Sequence, residues 1–216
     1  MSLTCAICED QIMFRRMLSG LLAKHCRARV VHEFGTLAEL RAASSSLVGL
    51  DLLLLDIRLP DGNGLDFIPE MARLKIQTPV LLLSSSAEEF IVHRVVKSMV
   101  SGYVHKDDEP KVLITAVQTV AAGGSFLSPR FVKLRRELAQ SPAAFTKILS
   151  DREQELLPAL GAGFSDTDIA AQFALTPATV KSHRRNIMEK LDLHSAQELQ
   201  AYALRRGFTT IPSLQE

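Results

Sequence analysis

Three carboxylates stand where a sheet protein places its chemistry. Asp56 closes the run Asp51-Leu52-Leu53-Leu54-Leu55, apolar enough to read as a strand buried on both faces of a parallel sheet. The residues after it, Ile57-Arg58-Leu59-Pro60-Asp61-Gly62-Asn63-Gly64, hold one Pro and two Gly and end the strand at once. A lone carboxylate at the carboxyl end of a parallel strand occupies the ligand position of open α/β sheets. Glu9 and Asp10 end the first apolar segment, Leu3 to Cys8, in the same way. Acidic groups on neighbouring strand ends repel one another, and a hard divalent cation with oxygen ligands relieves the repulsion. The set suits phosphoryl chemistry.

The elements that must position these groups alternate over residues 1–125. Apolar strands are predicted at 3–8, 29–33, 50–55, 79–84 and 102–105, with helices near 12–25, 36–43, 64–73, 88–99 and 109–122. Five such units imply a doubly wound, five-stranded parallel sheet with helices on both faces. The chain has 216 residues and 47% hydrophobic content, enough for two modest cores. No apolar run approaches the length of a membrane span and no signal segment opens the chain, so a soluble, cytoplasmic protein without a membrane partner is expected. Cys5 and Cys8 form a Cys-x-x-Cys pair, but along a strand predicted to be buried; they and Cys26 read as inert core thiols.

Residues 126–148 read as a partly helical linker, rich in Arg130, Lys133, Arg135, Arg136 and Lys147 against Glu137 alone. Residues 149–216 read as a compact all-α domain of four short helices. Ser150-Asp151-Arg152-Glu153 is a capping box, Ser165 and Ser195 open two further helices, and Thr176-Pro177 opens another with Pro at its first position. Pro158 is expected to interrupt the first of them. Residues 1–125 carry a net charge of −1 and residues 150–216 a net −2, against +4 for residues 126–149. Bulk charge therefore does not single out the helical domain as a nucleic-acid binder; local pattern does.

Five residues in order, each at a strand end, are Glu9, Asp10, Asp56 (followed by Pro60 and Gly64), Ser84, and Lys106 after Gly102-Tyr103-Val104-His105. Residues 1–125 resemble the flavodoxin-like receiver domain of bacterial two-component response regulators. The resemblance implies that Asp56 is the nucleophile that takes a phosphoryl group from a sensor histidine kinase. It implies that Glu9, Asp10, Asp56 and the backbone carbonyl of Arg58 hold Mg²⁺. Lys106 then sets a positive charge against the phosphoryl oxygens, Ser84 offers one of them a hydroxyl, and Tyr103 is the switch aromatic. Such a chain is not a turnover enzyme; it catalyses only its own phosphoryl transfer and dephosphorylation. A rival, the haloacid dehalogenase-like phosphatases, requires a second Asp two residues after the nucleophile, where this chain has Arg58. His105 reads as a packing or solvent-facing residue.

Residues 149–208 resemble the LuxR-type helix-turn-helix domain, through Leu149-Ser150-Asp151-Arg152-Glu153, Gly163-Phe164-Ser165, Thr179-Val180-Lys181-Ser182-His183 and Lys190-Leu191. The whole chain is similar to the NarL/FixJ class, which implies a phosphorylation-controlled transcription factor that binds promoter DNA and forms a homodimer on activation. At about 100° per residue, Val180, Ile187 and Leu191 share one helix face, while Lys181, Ser182 and Arg185 share the opposite one. A recognition helix meets base edges with such a face. Thr179, His183 and Lys190 suit phosphate contact or packing. One function of another class competes with this reading: a signalling protein that is no longer phosphorylated, whose access to DNA is set by a protein partner.

Overall fold

The computed structural model describes residues 2–85, 88–141 and 144–209; residues 210–216, the end of the expected helical domain, lie outside them. The chain divides into two compact units, residues 1–87 with 92–134, and residues 88–91 with 135–216.

The first unit is a parallel sheet. Its strands are β1 (Leu3–Cys8), β2 (Ala28–Phe34), β3 (Leu52–Asp56), β4 (Val80–Ser84), β5 (Gly102–His105) and β6 (Phe126–Leu127), in the spatial order β2-β1-β3-β4-β5-β6. The central strands are Leu-rich because both faces are covered: every residue of β3 and β4 is buried. The helices are α1 (Ile12–Cys26), α2 (Leu37–Ala42), α3 (Phe67–Arg73), α4 (Glu89–Lys97, whose residues from 92 on belong to this unit) and α5 (Pro110–Ala121). One core joins Leu18 and Leu22 of α1 to Leu52, Leu54, Leu81 and Leu83, and to Ala116, Val117 and Val120 of α5.

The sheet has six strands rather than five. The extra one lies in the stretch expected to be linker, where Phe126 and Leu127 align with Gly102 and Tyr103. Two residues after Gly123-Gly124 are too short to show an alternation, so pairing with the sheet edge, not pattern, creates the strand. The chain then forms α6 (Pro129–Gln140), seated by buried Phe131, and α7 (Phe145–Ile148).

Four helices follow: α8 (Asp151–Gly161), α9 (Asp166–Phe173), α10 (Pro177–Lys190) and α11 (Ala196–Arg205). Ser150 with Glu153 and Ser165 with Asp168 form complete capping boxes, and Thr176 and Ser195 accept from the backbone N–H three residues on. Pro158 does not interrupt α8, which runs through it to Gly161. The core of this unit gathers Leu156, Leu160, Ile169, Val180, Ile187 and Leu199. No helix among the described residues is long and apolar enough to cross a membrane.

Candidate functional site

β1 and β3 are neighbours in the sheet, so their ends deliver Glu9 and Asp56 to one edge. Ligand oxygens of Glu9, Asp10 and Asp56 lie within 4.8 Å of one another. The carboxylate of Asp56 is almost wholly buried; its Oδ1 accepts from the Arg58 N–H at 3.2 Å, and its Oδ2 from the Lys106 ammonium at 2.6 Å. Lys106 reaches it because the Lys106 N–H donates to the Ser84 carbonyl at 2.7 Å, which pins the end of β5 against that of β4. Glu9 and Ser84 are fully buried, while Asp10 is exposed.

Burial pushes the Glu9 carboxyl up to about 7, against the pull of Lys106 and with the push of Asp56. Burial also raises Asp56, opposed by Lys106. For Lys106, burial works downward, but Asp56 and Glu9 outweigh it and hold the ammonium above its ordinary value. Glu9 Oε2 sits 2.8 Å from the Lys106 nitrogen yet makes no hydrogen bond of good direction; the contact is a charge pair. A buried, underbonded carboxylate oxygen beside two more carboxylates is the donor set that a hard cation fits.

Two residues of α1 support the site without any motif to announce them. Phe14 places its ring 5.0 Å from the Lys106 nitrogen, and Arg15 donates to the Glu9 carbonyl. Only the spacing of α1 along the strand end could have pointed to them. Tyr103 is buried and stacks at a tilt on Phe131, 4.4 Å between ring centres. Phe131 was invisible as a partner because it lies in the stretch read as linker. His105 packs: it is buried, and its Nδ1 accepts from the Asp107 N–H. The thiols of Cys5 and Cys8 are pushed up to about 12, chiefly by burial, and stay protonated and inert at neutral pH.

The second constellation lies on α10. Val180 and Ile187 are fully buried, which turns Lys181, Ser182 and Arg185 outward, all exposed. The Ser182 hydroxyl donates to the Ala178 carbonyl, and Thr179 shares its hydroxyl with Thr176 at 2.8 Å, so it acts in the cap. His183 is half-buried. Arg184 meets an acidic neighbour, Asp166, at 2.6 Å.

Of the two roles open to Lys190, phosphate contact or packing, the structure shows a packing contact. Its ammonium is held by both oxygens of Glu153, at 3.0 and 2.7 Å, and Glu153 is buried. Burial works upward on that carboxyl, but Lys190 and Ser150 outweigh it and keep it low. Lys190 therefore ties α10 to α8. Lys190→Ala is expected to cost about 1–3 kcal/mol in a urea melt, because it strands a buried acceptor. Arg185→Ala is expected to leave the melt unchanged and to weaken a preferred duplex by roughly 1–3 kcal/mol over random DNA. A Lys190→Ala protein that melts like wild type refutes the structural assignment.

Comparison with known proteins finds two family models on the chain: "Response regulator receiver domain" over residues 5–118, and "Bacterial regulatory proteins, luxR family" over residues 147–203. The chain is 30% identical over 197 residues to the transcriptional regulatory protein UhpA of Escherichia coli K12, covering 91% of this chain and 95% of that one. It is 32% identical to the oxygen regulatory protein NreC of Staphylococcus carnosus, over 72% of this chain and 76% of the relative. Among solved structures, RcsB from Salmonella enterica serovar Typhimurium bound to promoter rprA matches with a TM-score of 0.69 at 20% identity, covering 94% and 98% of the two chains. The response regulator ChrA of a heme-sensing two-component system matches at 0.55 and 25% identity, over 96% and 98%.

Proposed function

Because the chain belongs to the two-component response regulators that join a receiver to a LuxR-type DNA-binding domain, and is thus a DNA-binding transcriptional regulator, we propose that its DNA binding is controlled by phosphorylation of Asp56. A sensor histidine kinase is the donor. The observation that carries this is the Asp56 carboxylate, presented at the end of β3 with the Lys106 ammonium at 2.6 Å and two further carboxylates beside it.

A carboxylate oxygen of Asp56 attacks phosphorus, an O–P bond forms, the bond to the donor imidazole breaks, and that nitrogen leaves with the electron pair. Lys106 balances charge on the transferred oxygens. Glu9, Asp10, Asp56 and the Arg58 carbonyl would hold Mg²⁺, which supplies positive charge to the developing oxyanions when bound. Ser84 lies at the neighbouring strand end and offers its hydroxyl to the phosphoryl group. Tyr103, one strand on, carries the change outward through its contact with Phe131. Lys181, Ser182 and Arg185 read bases, and the arginine and lysine suit guanine O6 and N7.

One recognition helix reads only a few base pairs, so two copies on a two-fold site are expected. RcsB, a protein of similar fold, has been solved as dimers on DNA. Light scattering with and without BeF₃⁻ and Mg²⁺ tests this: a shift from monomer toward dimer is expected on activation. An unchanged monomer that gains DNA affinity refutes dimerisation and leaves the unmasking of α10 as the switch.

A further inference from the structure

Few cations of the second unit are free to meet a duplex. Among the described residues, Arg152 is bound to Glu155 and to the Phe173 carbonyl, Arg184 to Asp166 and Lys190 to Glu153; Arg206 is ion-paired as well. Lys147 donates to the Ala139 and Ser141 carbonyls and so closes the carboxyl end of α6. That leaves Lys181 and Arg185 on α10, the pair assigned to bases, and Arg205 in the last turn of α11. Yet phosphate and sugar receive half to two-thirds of the hydrogen bonds in protein–DNA interfaces. Residues 150–216 carry a net −2, which repels a polyanion unless cations from elsewhere join in.

Those cations are in the stretch just before. α6 buries Phe131 and half-buries Leu134 and Leu138, while Arg135 and Arg136 are exposed and have no ion-pair or hydrogen-bond partner among the described residues. Both fall in the compact unit that holds α10. We propose that Arg135 and Arg136 of α6 contact DNA phosphates outside the bases read by α10, making this helix a second, sequence-independent part of the DNA interface. The competing account is a solvated basic face that touches nothing. The partner is committed by charge: a helical domain of net negative sign that must bind DNA draws affinity from its basic neighbour. The inference rests on the DNA-binding reading of the chain.

Each phosphate contact releases condensed counterions and contributes about −0.9 to the slope of log affinity against log salt. The test uses the full chain with BeF₃⁻ and Mg²⁺, a random-sequence duplex, and a duplex selected from a random pool by the wild type. Fluorescence anisotropy over 50–200 mM KCl reads both. Arg135→Ala/Arg136→Ala is expected to flatten the slope by about 2 on both duplexes and to leave the preference between them intact. Over that range, the wild type then loses about tenfold more affinity than the variant. Lys24→Ala/Arg73→Ala removes the same charge from the first unit and is expected to leave the slope alone. An unchanged slope for the Arg135/Arg136 variant, or an equal change in the control, overturns the proposal. If Lys181→Ala/Arg185→Ala still abolishes preference in that case, the reading of α10 stands and only the α6 contact falls. A wild type with no affinity for any duplex overturns both.

Discussion

Asp56→Asn is expected to abolish covalent labelling by acetyl phosphate. The amide has nearly the shape of the carboxylate but carries no charge, so it lacks the nucleophile. It also removes one of the three carboxylates that could hold a cation here. Lys106 keeps Glu9 as its partner at 2.8 Å, so the fold is expected to survive and the loss to be chemical. Intact mass after incubation with acetyl phosphate and Mg²⁺ reads the outcome, with circular dichroism as the control for folding. Labelling at a rate near wild type would place the acceptor elsewhere and sink the assignment.

The second large effect is expected from Gly64→Ala. A Cβ at position 64 falls 2.1 Å from the Asp56 carbonyl oxygen and 3.1 Å from Cγ of Leu55. The first of these is backbone and cannot swing aside. Retreat of Gly64 itself is blocked too, because its N–H donates to the Ile57 carbonyl at 2.8 Å. Forcing a methyl group into such a contact costs about 1–3 kcal/mol by overpacking, and a displacement of Asp56 by about 1 Å slows the chemistry roughly 100-fold. Gly20 on α1 supplies the contrast, since nothing lies within 4 Å of a Cβ there. Gly20→Ala is expected to be neutral or to stabilise by up to about 1 kcal/mol. Urea melts and labelling rates separate the two. A Gly64→Ala protein indistinguishable from wild type in both shows that the turn after Asp56 yields freely.

A link between neighbouring strand ends explains why so much of the receiver site was legible. β1, β3, β4 and β5 are apolar runs cut off by polar or turn residues, and in a parallel sheet every such cut-off falls on one edge. Glu9, Asp56, Ser84 and Lys106 could therefore be gathered on paper. The face of α10 was legible for a similar reason: a period of 3.6 residues fixes which side chains are opposite Val180 and Ile187.

Contacts between distant segments carried no such signal. Lys190 stands on a helix proposed to meet DNA, and helical period leaves it to phosphate contact or packing without choosing between them. Only the packing of α10 on α8 brings Glu153, buried and needing a cation, to its ammonium. Phe131 and strand β6 were hidden in the same way, since a two-residue strand has no period and an aromatic in a basic stretch has no face until α6 settles on Tyr103. The sequence by itself determined the alternation of elements, the helix caps and the chemistry at the strand ends, because these follow from short-range spacing and side-chain type. Tertiary structure alone decided which cations pair with internal carboxylates and which stay exposed and unpaired among the described residues, because an ion pair is settled by distance in space and burial, not by position in the chain.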